Sequence, residues 1–221
     1  MTTGKPPVVS FDLDGTLAMI DDYGVVVDAA LDTVGPLEPG TRRAAREAYE
    51  ERFFEAFEAM APEPYRTGMA AAAGVLPGDP SPDDLAATLL DAEVAAVTPA
   101  PGTPTVLDTL ADRGYRLALL TNGLGRVQRR KLAALGIDDR FEAVVVSAAV
   151  GAHKPDTAIF DALRERLDAP RYVHVGDDAD HDVRGAVDAG FGAVHVGGDD
   201  PTADATAPTL RAVPETLRRL G

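Results

Sequence analysis

The chain has no cysteine, so neither a disulfide nor a thiolate metal site is open to it. Lysine is nearly absent: Lys5, Lys131 and Lys154 are the three in 221 residues, and arginine supplies the other cations. Side-chain amides are scarcer still, Asn122 and Gln128 being the two. No apolar run approaches the roughly 20 residues that cross a bilayer as a helix. The first residues also lack the apolar stretch of a signal peptide, so a soluble, cytoplasmic protein is expected. The four histidines (153, 174, 181 and 195) do not fall at zinc-ligand spacings. Gly123-x-Gly125 lacks the third glycine of a dinucleotide loop, so NAD is not expected either.

Acid is abundant. Thirty-six Asp and Glu face 21 Lys and Arg, for a formal net charge of -15. Such a field disfavours nucleic-acid backbones and anionic membranes, so neither is an expected partner. It also opposes a phosphate ligand, and a phosphate site in this chain must bring its own positive charge. Abundant aspartate with scarce lysine suggests a salt-rich, halophilic setting, where screening tames self-repulsion.

Against this background four segments share one pattern, an apolar strand that ends in polar chemistry. Pro7-Val8-Val9-Ser10-Phe11 reads as a buried strand and runs into Asp12-Leu13-Asp14-Gly15-Thr16. Residues two apart on a strand point the same way, so Asp12 and Asp14 stand together at its end. Gly15 lets the chain turn, and Thr16 can cap the turn. Paired carboxylates repel unless a cation or proton relieves them. A second strand, Arg116 to Leu120, ends in Thr121-Asn122-Gly123. A loop, Gly151 to Asp156, places Lys154 just before Pro155, read here as a helix-starting proline. A further strand, Arg171 to Gly176, ends in Asp177-Asp178-Ala179-Asp180-His181-Asp182. In open parallel sheets such strand ends form the ligand crevice. Carboxylates, a hydroxyl and an ammonium gathered there describe a phosphate and divalent-metal site.

These residues carry a resemblance. Asp12-x-Asp14-Gly15-Thr16, Thr121-Asn122-Gly123, Lys154-Pro155 and Gly176-Asp177-x-x-x-x-Asp182, in that order and spacing, resemble haloacid dehalogenase superfamily hydrolases of the phosphatase type. The stretch from Gly123 to Leu132 is also similar to members acting on nucleotides and sugar phosphates. The resemblance implies Asp12 as nucleophile, Asp14 as general acid and base, and Lys154 paired with the nucleophile and the phosphoryl group. It implies Thr121 as a phosphate ligand, helped by the amides of Asn122 and Gly123. Magnesium is the implied cofactor, held by the side chains of Asp12 and Asp177 and the backbone carbonyl of Asp14, with Asp182 supporting. Asp178 and Asp180 are read as a solvated acidic loop, and His174 and His195 as satisfied core or edge histidines. Tyr65, Arg66 and Arg126 are read as packing or surface residues.

The fold class expected is α/β, a Rossmann-like doubly wound parallel sheet with an inserted all-helical cap. Residues 1–17 and 98–221 form the core and 18–97 the cap, closing over the site by family resemblance. Within the insertion, helices are expected over Val25 to Leu31, Tyr65 to Ala73 and Asp83 to Ala96. Another stops near Pro62, with Phe53, Phe54, Phe57 and Met60 on one face. Gly197 to Pro208 reads as loop, and Leu210 to Leu220 as a terminal helix. The implied function is hydrolysis of a small organic phosphate by a monomer or homodimer. Two alternatives stay open: a 2-haloacid dehalogenase on the same scaffold, and a receiver-like signalling domain phosphorylated on aspartate. A dehalogenase needs no acid at position 14, and a receiver is much shorter with an adjacent acidic pair.

Overall fold

Every residue of Val8–Phe11 is buried, as befits a strand covered on both faces. The computed structural model, which describes residues 5–220, makes this strand β1 the centre of the molecule's main sheet. Residues 1–4 and 221, assigned above to the core, lie outside the described residues. After β1 come β2 (Ala18–Met19), α1 (Tyr23–Leu31), α2 (Pro39–Glu58), α3 (Pro64–Ala73) and α4 (Pro82–Ala96). Then follow β3 (Thr98–Pro99), α5 (Thr103–Asp112), β4 (Arg116–Thr121), α6 (Gly125–Leu135), β5 (Ala143–Val146) and α7 (Ser147–Val150). The chain finishes with α8 (Thr157–Arg166), β6 (Tyr172–Gly176), α9 (Gly185–Asp188), β7 (Gly192–Val196), β8 (Ala205–Ala207) and α10 (Val213–Leu220).

The main sheet has the order β5-β4-β1-β6-β7-β8, and each neighbouring pair is parallel. Phe11, the last residue of β1, stands level with Leu119 of β4 and Val175 of β6, and those two strands end within two residues beyond it. From β1 the chain builds outward through β4 and β5, then returns to build the other way through β6, β7 and β8. That reversal splays the connecting loops apart and opens a crevice at the strand ends. Apolar side chains from both faces fill the core, among them Val145, Ile159, Phe160, Leu163 and Ala186.

By packing, the chain divides into two units: residues up to Met19 together with those from Thr98 onward, and Ile20–Val97. Strands β2 and β3 pair antiparallel where the chain leaves and re-enters the first unit. The described residues of the second unit are helical, with no strand. Its helices start on local signals. Asp22 accepts from Gly24 N at 2.8 Å, Ser81 Oγ accepts from Asp84 N at 3.3 Å, and α2, α3 and α4 each open on a proline. No helix among the described residues is long and apolar enough to cross a membrane.

Three local expectations are corrected. Phe54 does not share the packed face: it is 59% exposed, whereas Phe53 stacks on Tyr49 and Phe57 and meets Tyr65 edge-on. Adjacent residues lie about 100° apart around a helix, so Phe53 and Phe54 cannot both face inward. The polar stretch 197–208 contains β8, which pairs with β7 at the sheet's edge and buries Ala207. Three residues are too few to show an alternating pattern in sequence. Pro155 does not start a helix; α8 begins at Thr157, where the Asp156 carboxylate accepts from Ala158 N at 2.9 Å.

Inside the helical unit, Asp28 of α1 accepts from Arg46 Nε at 2.7 Å and lies 3.1 Å from Arg42 of α2. The Arg46 hydrogen bond, then Arg42, hold its carboxyl below the ordinary range. A lowered folded-state pKa stabilises above the unfolded value of about 3.9 and is lost as pH falls through it. Asp28→Asn is therefore expected to lower the unfolding free energy at pH 7 by roughly 0.2–1 kcal/mol, the range for solvent-screened pairs. Urea titrations should show the difference shrinking below about pH 4. A difference that grows on acidification contradicts this role.

Candidate active site

Where β1 ends, Asp12 N still donates to Val175 O of β6 at 3.0 Å, so its backbone is held by the sheet. The chain then folds back on Leu13, whose carbonyl accepts from Leu17 N at 2.9 Å and Ala18 N at 2.8 Å. Gly15 sits in this turn at φ +94, and a Cβ there would fall 2.4 Å from the Asp177 carboxylate. Only glycine allows the two acidic loops to approach so closely. Thr16 reaches past the turn it was expected to cap and donates Oγ1–H to Asp177 Oδ1 at 2.6 Å.

Lys154 comes from the loop before α8. Asn122, at the end of β4, grips its backbone at both ends: Lys154 N donates to Asn122 Oδ1 at 2.8 Å, and Asn122 Nδ2 donates to Lys154 O at 3.2 Å. Thus anchored, Nζ donates to Asp12 Oδ1 and Asp182 Oδ1, each at 2.6 Å, and the residue is 2% exposed. Asp182 lies in a single wide helical turn after β6, Ala179–Arg184, capped by Asp178, which accepts from the amides of Asp180 and His181. Its other oxygen accepts from Asp178 N at 3.1 Å. Gly176 makes room for this, since a Cβ there would lie 2.2 Å from that carboxyl group.

Two histidines stand behind these acids. His174 Nε2 is 3.2 Å from Asp182 Oδ1, and Nδ1 is 2.9 Å from Ser10 Oγ. A carboxylate only accepts, so Nε2 carries the hydrogen. His195 Nε2 donates to the Asp177 carbonyl at 3.0 Å while Nδ1 accepts from Asp200 N at 3.2 Å. Both are satisfied, as the sequence reading expected, but their partners belong to the acidic cluster.

Carboxylate oxygens of Asp12, Asp177 and Asp182 all lie within 4.8 Å of one another. Three carboxylates against the one ammonium of Lys154 leave a surplus of two negative charges. Burial pushes the Asp12 carboxyl upward against the pull of Lys154, and burial also pushes Asp177 upward. For Asp182, burial is outweighed by Lys154 and His174, and its carboxyl is held low. Lys154 stays charged because Asp12 and Asp182 more than offset its burial. An all-oxygen donor set short of two positive charges fits a hard divalent cation such as Mg²⁺. Asp12, Asp177 and Asp182 could hold it, through their side chains or a water.

The other expected residues divide. Asp14 turns from that cluster to a place the sequence reading did not foresee. Lys131 Nζ donates to its Oδ1 at 2.9 Å and Gln128 Nε2 to its Oδ2 at 2.8 Å, both from α6. The same Gln128 nitrogen lies 3.1 Å from Thr121 Oγ1 and 3.0 Å from Asn122 O. One of three lysines and one of two amides, three residues apart and so on one helix face, were the available signal. Gly123 departs from expectation: its amide donates to Ser147 Oγ at 2.9 Å and so is not available to a phosphate in this conformation. Asp180 pairs with Arg184, and Arg66 with Asp83, each at 2.7 Å. Tyr65 is buried against Phe53.

Thr16 orients Asp177 without itself offering a carboxylate. Thr16→Val keeps its shape and removes the donor, and is expected to weaken magnesium binding about tenfold, as such supporting partners do. Calorimetric titration of Mg²⁺ checks this; an unchanged affinity contradicts it.

The chain is similar in sequence and fold to known proteins. A segment of 111 residues, 49% of this chain and 49% of the relative, is 37% identical to a glyceraldehyde 3-phosphate phosphatase of Methanothermobacter thermautotrophicus. The chain spans about half the length of the curated relatives it matches. Among solved structures, a HAD phosphatase from Thermococcus onnurineus superposes with a TM-score of 0.70 at 27% identity, covering 96% of this chain and 97% of that one. A 2-haloacid dehalogenase from Pseudomonas syringae pv. Tomato superposes at 0.73 with 26% identity, covering 98% and 100%. The family model for haloacid dehalogenase-like hydrolases matches residues 6–190, most of the chain, and the chain belongs to that family.

Proposed function

We propose that this protein is a magnesium-dependent phosphomonoesterase for small, soluble organic phosphates. The observation that carries the reading is a pair of acids two residues apart with different partners. Asp12 is buried against Lys154 within the Asp177 and Asp182 cluster, while Asp14, its side chain 44% exposed, is held by Lys131 and Gln128. A displacement that splits into two steps needs one carboxylate as nucleophile and a second group to move protons. A dehalogenase would have no use for the second acid. The phosphatase names among the relatives support the same choice.

In this reading the Asp12 carboxylate attacks phosphorus in line, and the ester P–O bond breaks. The departing alkoxide takes the proton from Asp14, leaving an aspartyl-phosphate on Asp12. Asp14, now a carboxylate, takes a proton from water as that water attacks phosphorus, and Asp12 is restored as inorganic phosphate leaves. Lys154 and Thr121 meet the phosphoryl oxygens, and Asn122 acts by holding the Lys154 backbone. Bound magnesium supplies the positive charge that a dianionic ester requires beside three carboxylates. The helical unit, Ile20–Val97, serves as a cap-type domain that contributes substrate choice, starting two residues later than the sequence reading places it because Ala18–Met19 forms β2. We also read the protein as cytoplasmic and its acidic composition as suited to high salt.

Two measurements test this. Asp12→Asn is expected to lower magnesium-supported hydrolysis of phosphate monoesters by at least about 10³-fold, the scale seen when a nucleophile is removed. Appreciable residual turnover refutes the role, and chloride release from chloroacetate without magnesium moves the protein to the dehalogenases. The urea midpoint is expected to rise as KCl is raised; a flat or falling midpoint contradicts the reading of the acidic composition.

A further inference from the structure

We infer that Lys131 and Gln128 are positioning residues, which hold the proton-transferring group Asp14 and the phosphate-binding turn in register on a single helix. This rests on the phosphatase reading and goes beyond it by adding α6 to the machinery.

Lys131 is 4% exposed and Gln128 2% exposed, on a helix whose other polar side chains at Arg126, Arg129 and Arg130 face outward. Burying an ammonium is costly unless it is paired. Of the chain's three lysines two are buried: Lys154 lies among the acids of the cluster, and Lys131 lies on Asp14. Asp14 is fixed at both ends of its carboxyl group, Oδ1 by the ammonium and Oδ2 by the amide. A half-exposed aspartate would otherwise sample several rotamers, and proton transfer needs the carboxyl within hydrogen-bond reach of the departing oxygen. Gln128 Nε2 also faces Thr121 Oγ1 and the Asn122 carbonyl. Its one nitrogen therefore links the acid to the turn after β4, and Asn122 in that turn carries Lys154. A lysine suits this place because its point charge meets one oxygen and leaves the other to the amide.

The requirement for a positioned acid depends on the leaving group. An alkoxide must be protonated as it departs, whereas p-nitrophenolate leaves without help. The ratio of kcat/KM for glycerol phosphate to that for p-nitrophenyl phosphate therefore reports Asp14's readiness, and partial unfolding lowers both alike without changing it. For Lys131→Met the ratio is expected to fall by at least about tenfold, a fraction of the 10²–10⁴ that general acid catalysis supplies. Lys131→Arg is expected to recover part of it, and Lys131→Gln provides the same comparison should the methionine variant not fold. Equal losses on both esters, with the ratio unchanged, overturn the inference and leave Lys131 as a structural contact. A wild-type protein inert on both esters overturns the phosphatase reading itself, and this inference with it.

Discussion

One ammonium makes the acidic centre possible. Lys154 Nζ lies 2.6 Å from both Asp12 and Asp182, in a place closed to solvent. Without it, three carboxylates at the end of a buried sheet would repel one another and take up protons. With it, Asp182 is kept ionised, and burial pushes the Asp12 carboxyl upward against the pull of the ammonium. The remaining deficit of positive charge is what a divalent cation can supply.

The sheet serves that ammonium. Strands β1, β4 and β6 lie side by side and end within two residues of one another, so the residues that follow them gather at one edge of the sheet. Asn122 fixes the Lys154 backbone, Gly15 lets Asp177 approach, and Gly176 leaves space for Asp182. Thr16, His174 and His195 then supply hydrogen bonds from the side facing the protein. Asp182 is thus held by neutral donors as well as by charge, Asp177 by the Thr16 hydroxyl and Asp12 by the ammonium.

The acids, the threonine and the lysine were legible in sequence because each follows a short apolar strand, and strand ends in a parallel sheet converge. The doubly wound architecture was legible for the same reason. Lys131 and Gln128 were not, although both are rare residue types here, because their contacts with Asp14 span 117 and 114 residues. A polar residue on a helix gives no sign of which side it faces until the helix is docked. His174 and His195 look like ordinary strand residues, since alternation shows burial but not a partner. The Gly123 amide donates to Ser147 on α7, a partner that nothing local in the sequence announces. Phe54 shows the reverse error, an aromatic counted as core by type when helical geometry turns it outward.

The most direct measurement is a crystal structure of the protein with magnesium and beryllofluoride, a stable mimic of a phosphoryl group on aspartate. The account predicts the mimic on Asp12, with Lys154 Nζ beside it. It also predicts a six-coordinate cation about 2.1 Å from oxygens of Asp12 and Asp177. A cation bound elsewhere, or an unmodified Asp12 with the mimic on another residue, would contradict it.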